Sequence, residues 1–112
     1  MRQEDHGVLW ERFVLEQLLA YFADLPARYW RDKSGNEIDF VLPRRRDEVD
    51  AIECKWSPSA FDPTALAVFR GYYPKGNNYL VTPTVDPPYA KAFGKLKLTV
   101  CTPPALRPPC RD

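Results

Sequence analysis

The 112-residue chain has no apolar run approaching the roughly 18 residues that a membrane-spanning helix needs, so a membrane is not among its expected partners. It has no glycine-rich GxxxxGK[ST] loop, which excludes nucleotide binding by that route. Charge of one sign is not in excess either: 16 Lys and Arg stand against 15 Asp and Glu, for a net +1. No global field therefore draws the chain to nucleic acid, and any such contact has to come from local patches. Its three cysteines, Cys54, Cys101 and Cys110, lack the CxxC spacing of a zinc site, and no secretory signal is read ahead of them. Free thiols in a reducing compartment, and hence a cytoplasmic location, are the expectation.

What is present suffices for one core. A content of 45% hydrophobic and 13% aromatic residues fits a single α/β domain over 7–101. From Thr102 the chain carries Pro103, Pro104, Pro108 and Pro109, and 102–112 is expected to be a disordered or extended tail.

The first periodic segment, His6 to Asp24, reads as an amphipathic helix closed by Pro26. At about 100° per residue, Trp10, Val14, Leu18, Tyr21 and Phe22 share one side, with Arg12, Glu16 and Ala20 across from them. Glu11 falls inside the apolar side, where a bare carboxylate costs several kcal/mol and has to be paired, hydrogen-bonded or on a metal. Arg28–Arg31 reads as a short strand, and Asp32–Asn36 as a turn.

Two strand-like runs follow, Asn36–Leu42 and Ala51–Trp56, each alternating apolar with polar residues. Ile38, Phe40 and Leu42 are expected on one face and Asp39 on the other; Ile52, Cys54 and Trp56 likewise share a face. The linker Arg44–Glu48 is short enough for an antiparallel hairpin centred near Arg46, which sets Asp39 across from Glu53 and Val41 across from Ala51. Cross-strand Cβ atoms are about 5 Å apart, and like charges at that spacing destabilise a sheet, so a positive charge is needed between them. A divalent cation, Mg²⁺ or Mn²⁺ on oxygen ligands, or Lys55, meets that need. Two carboxylates on a solvated face are the plainer alternative.

Asp62 with Pro63 starts a second helix through Leu66, Phe69 and Tyr73, ended by Pro74 and Gly76. Asn78–Thr82 is a buried strand, parallel to the Glu53 strand because a helix lies between them. Tyr89–Phe93 reads as a helical turn and Lys95–Val100 as an extra edge strand.

Asp39 followed by Glu53-x-Lys55 on the next strand resembles the PD-(D/E)XK nuclease superfamily. Gly7–Val14, Tyr29–Asp32, Gly35–Val41 and Ile52–Trp56 together resemble one nuclease-like domain of unknown function found at the C-terminal end of prokaryotic AAA-type ATPases. The resemblance covers Gly7 to Thr82. It implies a restriction-endonuclease-like core in the order helix, three antiparallel strands, helix, strand, and metal-dependent hydrolysis of duplex or branched DNA by an endonuclease or resolvase-like domain. It makes Asp39, Glu53 and Lys55 catalytic, with Glu11, Asp39 and Glu53 as ligands of Mg²⁺ or Mn²⁺ and Glu37 in support. Arg44, Arg45 and Arg46 are candidate DNA contacts, and a homodimer or an AAA-type ATPase domain are candidate partners. Ile38 stands where the superfamily often has proline, and the ATPase domain is not in this sequence. The competing reading is a nuclease fold without catalysis, docking on or regulating an ATPase or another protein.

Overall fold

A computed structural model describes residues 3–22, 28–85 and 87–106. The elements are α1 (Gln3–Tyr21), β1 (Arg28–Arg31), β2 (Glu37–Arg45), β3 (Glu48–Cys54), α2 (Thr64–Tyr72), β4 (Asn78–Val81), β5 (Tyr89–Phe93) and β6 (Leu96–Cys101), with 3-10 turns at Pro58–Ala60 and Pro103–Leu106. They make an α/β domain. The six strands form one sheet in the order β1-β2-β3-β4-β6-β5. The β3–β4 and β4–β6 pairs are parallel and the others antiparallel.

The sheet is covered on both faces. On one, Trp10, Val14, Leu18 and Phe22 of the α1 segment pack on Phe40, Leu42, Ile52, Cys54, Val81 and Cys101. On the other, Leu66 and Phe69 of α2, with Phe61, pack on Ile38, Val41, Ala51, Leu80, Leu98 and Val100. Burial on both faces encloses β3 from Asp50 to Cys54, acids included, and the Leu80–Val81 end of β4. Each large side chain so enclosed contributes about 1.5–3 kcal/mol relative to exposure.

α1 begins earlier than its periodicity suggests, at Gln3, and runs to Tyr21; the expected end at Asp24 and the stop at Pro26 lie outside the described residues. α2 starts at Thr64, one residue later than expected, with Pro63 in the cap position; the Asp62 carboxylate just ahead accepts both the N–H and the hydroxyl of Thr64 at 2.9 and 2.6 Å.

Four expectations need correction. Tyr89–Phe93 is a strand, joined to β6 by the two-residue loop Gly94–Lys95, where Gly94 takes a φ of 61°. A glycine at the first central position is what such a tight hairpin needs. β6 is in consequence an interior strand, and β5 is the edge. The segment from Thr102 is not featureless: Pro103 and Leu106 are buried, and Leu106 joins the core beneath α1, whereas 107–112 lie outside the described residues.

The fourth correction concerns β2. Ile38 and Phe40 do not share a face; Ile38 belongs to the α2 side and Phe40 to the α1 side. The β1–β2 register slips between Arg28↔Val41 and Trp30↔Ile38, so Asp39 and Phe40 together oppose Tyr29. Such a bulge inverts the alternation locally and re-aims the side chain it carries.

Candidate acid cluster at the open end of the β2–β3 hairpin

Register places the acids. β2 and β3 pair as Val41↔Ala51 and Phe40↔Ile52, around a turn at Arg46–Asp47. One step further Asp39 meets Glu53, and there side chains replace the backbone ladder. The Asp39 N–H donates to Glu53 Oε1 at 3.0 Å, and the Cys54 N–H donates to Asp39 Oδ2 at 2.8 Å. Each carboxylate is thus fixed by a charge-assisted bond to the partner strand. The second oxygens, Asp39 Oδ1 and Glu53 Oε2, stand outside this exchange.

Lys55 follows directly, half-buried, with its N–H on the Val81 carbonyl at 3.1 Å. The same carbonyl accepts the Trp10 indole N–H at 2.9 Å, in a buried bond. That bond pins α1 to the end of β4 and so brings Glu11 to the acids. Glu37 is held from β1, accepting the Tyr29 hydroxyl at 2.8 Å and lying 3.6 Å from Arg31 Nε.

The charges feel one another. Burial, and then the Asp39 charge, push Glu53 up to about 7 against the lowering effects of its backbone bond and Lys55. Burial likewise raises Asp39, opposed by the Cys54 N–H and Lys55. Glu11 is raised by partial burial and then by Asp39, with Lys55 pulling the other way. Glu11, Glu37, Asp39, Glu53 and Lys55 therefore form one electrostatic cluster. Among the described residues, however, no group of three or more His, Cys, Asp or Glu side chains is gathered tightly enough to hold a metal ion as it stands. Hard carboxylate oxygens suit Mg²⁺ or Mn²⁺ chemically, and Asp39 and Glu53 are already juxtaposed, with Glu11 the next acid in the same field. The Cys54 thiol is pushed far up by burial and the surrounding acids, which keeps it inert.

The arginines sit at the other end of the hairpin, on the order of 20 Å away at about 3.3 Å per residue. Arg44 is committed: its Nε lies 3.0 Å from Oδ2 of the buried Asp50, and its guanidinium stacks on the Phe22 ring at 5.4 Å. Arg46 is exposed in the turn, and the Arg45 side chain lies outside what is described. Sequence reasoning missed Asp50, which also accepts the Asn77 N–H at 2.9 Å. Its signal was an acid directly ahead of the buried Ala51–Ile52 pair, six residues from Arg44 across a short turn.

A family model described as "Domain of unknown function (DUF4143)" matches residues 6–95. Comparison with curated proteins gives no match. Among solved structures, the refined half-complex from a tetradecameric assembly of Thermococcus gammatolerans McrB AAA+ hexamers with bound McrC is similar over 84% of this chain, at 17% identity and a TM-score of 0.60. The match takes in 27% of that chain, so this sequence spans about a quarter of its neighbour's length, and the likeness is one of fold. With the family model covering 6–95, the chain belongs to the DUF4143 family.

Proposed function

We propose that the chain is a PD-(D/E)XK-type, restriction-endonuclease-like domain that hydrolyses phosphodiester bonds in DNA with Mg²⁺ or Mn²⁺. The observation that carries this reading is the reciprocal clamp of Asp39 and Glu53 with Lys55 and Glu11 in the same field. A buried and a half-buried acid held together, with only Lys55 among the described residues to offset them, are costly in a purely structural element, and a bound cation removes that cost. Asp39 and Glu53, joined by Glu11, are the residues to hold it. A divalent cation on this donor set would neutralise phosphate charge and acidify a bound water.

The chain's own groups do the positioning. The backbone bonds of Asp39 and Glu53 fix their carboxylates, and Lys55 sets a compact positive charge beside them, suited to a phosphate oxygen. Glu37, tied to Tyr29 and Arg31, supports the β1 side. The committed Arg44 is not available as a DNA contact, which leaves Arg46 and, outside the described side chains, Arg45. The test is incubation with duplex, branched and single-stranded DNA in each metal: cleavage is expected, and Lys55→Ala is expected to abolish it. Intact substrates in both metals would overturn the enzyme reading.

A second reading has its own support. The net charge of +1 is small for a DNA-binding surface. Tyr72 and Tyr73, exposed by 67% and 44%, flank Trp30 in a groove beside β1, where an AAA-type ATPase domain could dock. Tyr89 is not part of that patch, since it lies on the edge strand across the sheet. In this reading the fold is kept without catalysis, and the McrB AAA+ assembly that holds the similar chain supports an AAA-type partner.

A further inference from the structure

The outward side of α1 is not polar, as the free side of an ordinary surface helix is. Away from the buried Trp10, Val14 and Leu18, the side chains of Val8, Leu9 and Leu19 are exposed by 67, 51 and 54%, while Phe13, exposed by 46%, lies on the flank stacked on Trp10. Two exposed charges, Arg12 and Glu16, lie among them. A groove of about 620 Å³ runs along this side between Val8, Leu19 and Phe40, with Glu11 among its lining residues.

The pattern reads the same in both directions about Val14. At about 100° per residue, Arg12 and Glu16 stand either side of the direction opposite Val14, each about 20° from it. Leu9 and Leu19 flank them at equal separations along the axis, and Val8 and Ala20 lie one step beyond.

We propose that this face binds a second copy of the chain, as an antiparallel α1 pair on a twofold axis beside Val14. The axis sets Arg12 against the copy's Glu16 and Glu16 against the copy's Arg12, while Val8 and Leu9 pack on the copy's Leu19 and Ala20. This is the reciprocal matching that a twofold interface demands. Charge complementarity selects the antiparallel copy: a parallel pair sets Arg12 on Arg12 and Glu16 on Glu16, and like charges so placed are repelled. A contact confined to one 19-residue helix is small beside the ~1,200 Å² of stable complexes, so the dimer forms in the micromolar range and depends on concentration.

The same operation leaves each flank of the helix on its own side. The two Glu11 residues, and with them both acid clusters, then open on one side of the dimer, as cutting both strands of a duplex requires. That consequence rests on the nuclease reading; the dimer does not.

Sedimentation equilibrium of the full chain at high micromolar concentration, without metal or DNA, tests it. The wild type is expected to be dimeric, Arg12→Glu and Glu16→Arg each monomeric, and the double variant R12E/E16R dimeric again, with circular dichroism verifying the fold of each. Disulfide cross-linking between Leu9→Cys and Leu19→Cys chains is expected on oxidation. A monomeric wild type overturns the proposal, whether or not another protein then proves to occupy the face. A dimer indifferent to both single charge reversals overturns it as well. Because no cleavage is read, failure here leaves the nuclease reading standing, and inactive but dimeric protein would do the reverse.

Discussion

Asp50 and Glu53 lie on the same strand and are equally hidden, with 3% and 8% of their surface exposed, yet their surroundings differ in kind. Asp50 is met by the Arg44 guanidinium and the Asn77 N–H. Around it the closed end of the hairpin is bonded tightly: Arg70 fans onto Asn78 Oδ1 and the carbonyls of Tyr73, Lys75 and Asn77. Gly76, at a φ of 137°, lets this loop approach Val49 so closely that a Cβ would lie 1.8 Å from the Val49 carbonyl oxygen. Glu53 faces another acid and has one backbone bond and a nearby lysine against it. Burial of a carboxylate is therefore no mark of function in itself. What distinguishes the open end is two acids sharing the field of one lysine, Lys55, with no arginine among the described residues clamped on either, the condition under which sites bind cations or move protons.

The largest expected effect breaks the closed end. Asp50→Ala strips the part-exposed Arg44 of its partner and leaves the Asn77 N–H without its acceptor, and is expected to cost about 3 kcal/mol in urea unfolding. A loss below about 1 kcal/mol would show that the two ends do not differ as described.

The next effect has the opposite sign and belongs to the open end. With a folded-state value near 7 against 4.5, Glu53 binds its proton more tightly in the folded chain. Its carboxyl therefore favours folding most below about pH 4.5, and stability falls as pH rises towards 7, by on the order of 2–3 kcal/mol. Glu53→Gln is expected to flatten that slope and to be the more stable protein at pH 8 without metal. An unchanged slope in the variant would place the titration elsewhere.

Part of this arrangement was legible in the residues. The alternation of β2 and β3 and their short linker were enough for the Asp39–Glu53 register, since local pairing and turn length determine it. The α1 face and the parallel β3–β4 pair followed from the 3.6-residue period and the intervening helix. The bulge at Asp39 was hidden because it is created by the β1 partner, so the face expected of Ile38 was wrong. The Arg44–Asp50 pair closes within the hairpin, but in sequence Arg44 looked like one of three equivalent surface arginines, and the Asn77 N–H that completes the Asp50 environment arrives from a distant loop. The mixed composition of Tyr89–Phe93 masked β5, though Gly94–Lys95 offered a hairpin signal. Pro103–Leu106 is ordered by burial under α1, which composition does not report.

Thermal melting with Mn²⁺ at pH 8 tests the open end most directly. A cation that binds only the folded chain stabilises it by about 1.4 kcal/mol at ten times its dissociation constant. The account predicts a rise in Tm for the wild type and for Arg46→Ala, and none for Asp39→Asn. No rise in the wild type, or an equal rise in Asp39→Asn, would contradict the claim that these acids form a cation site.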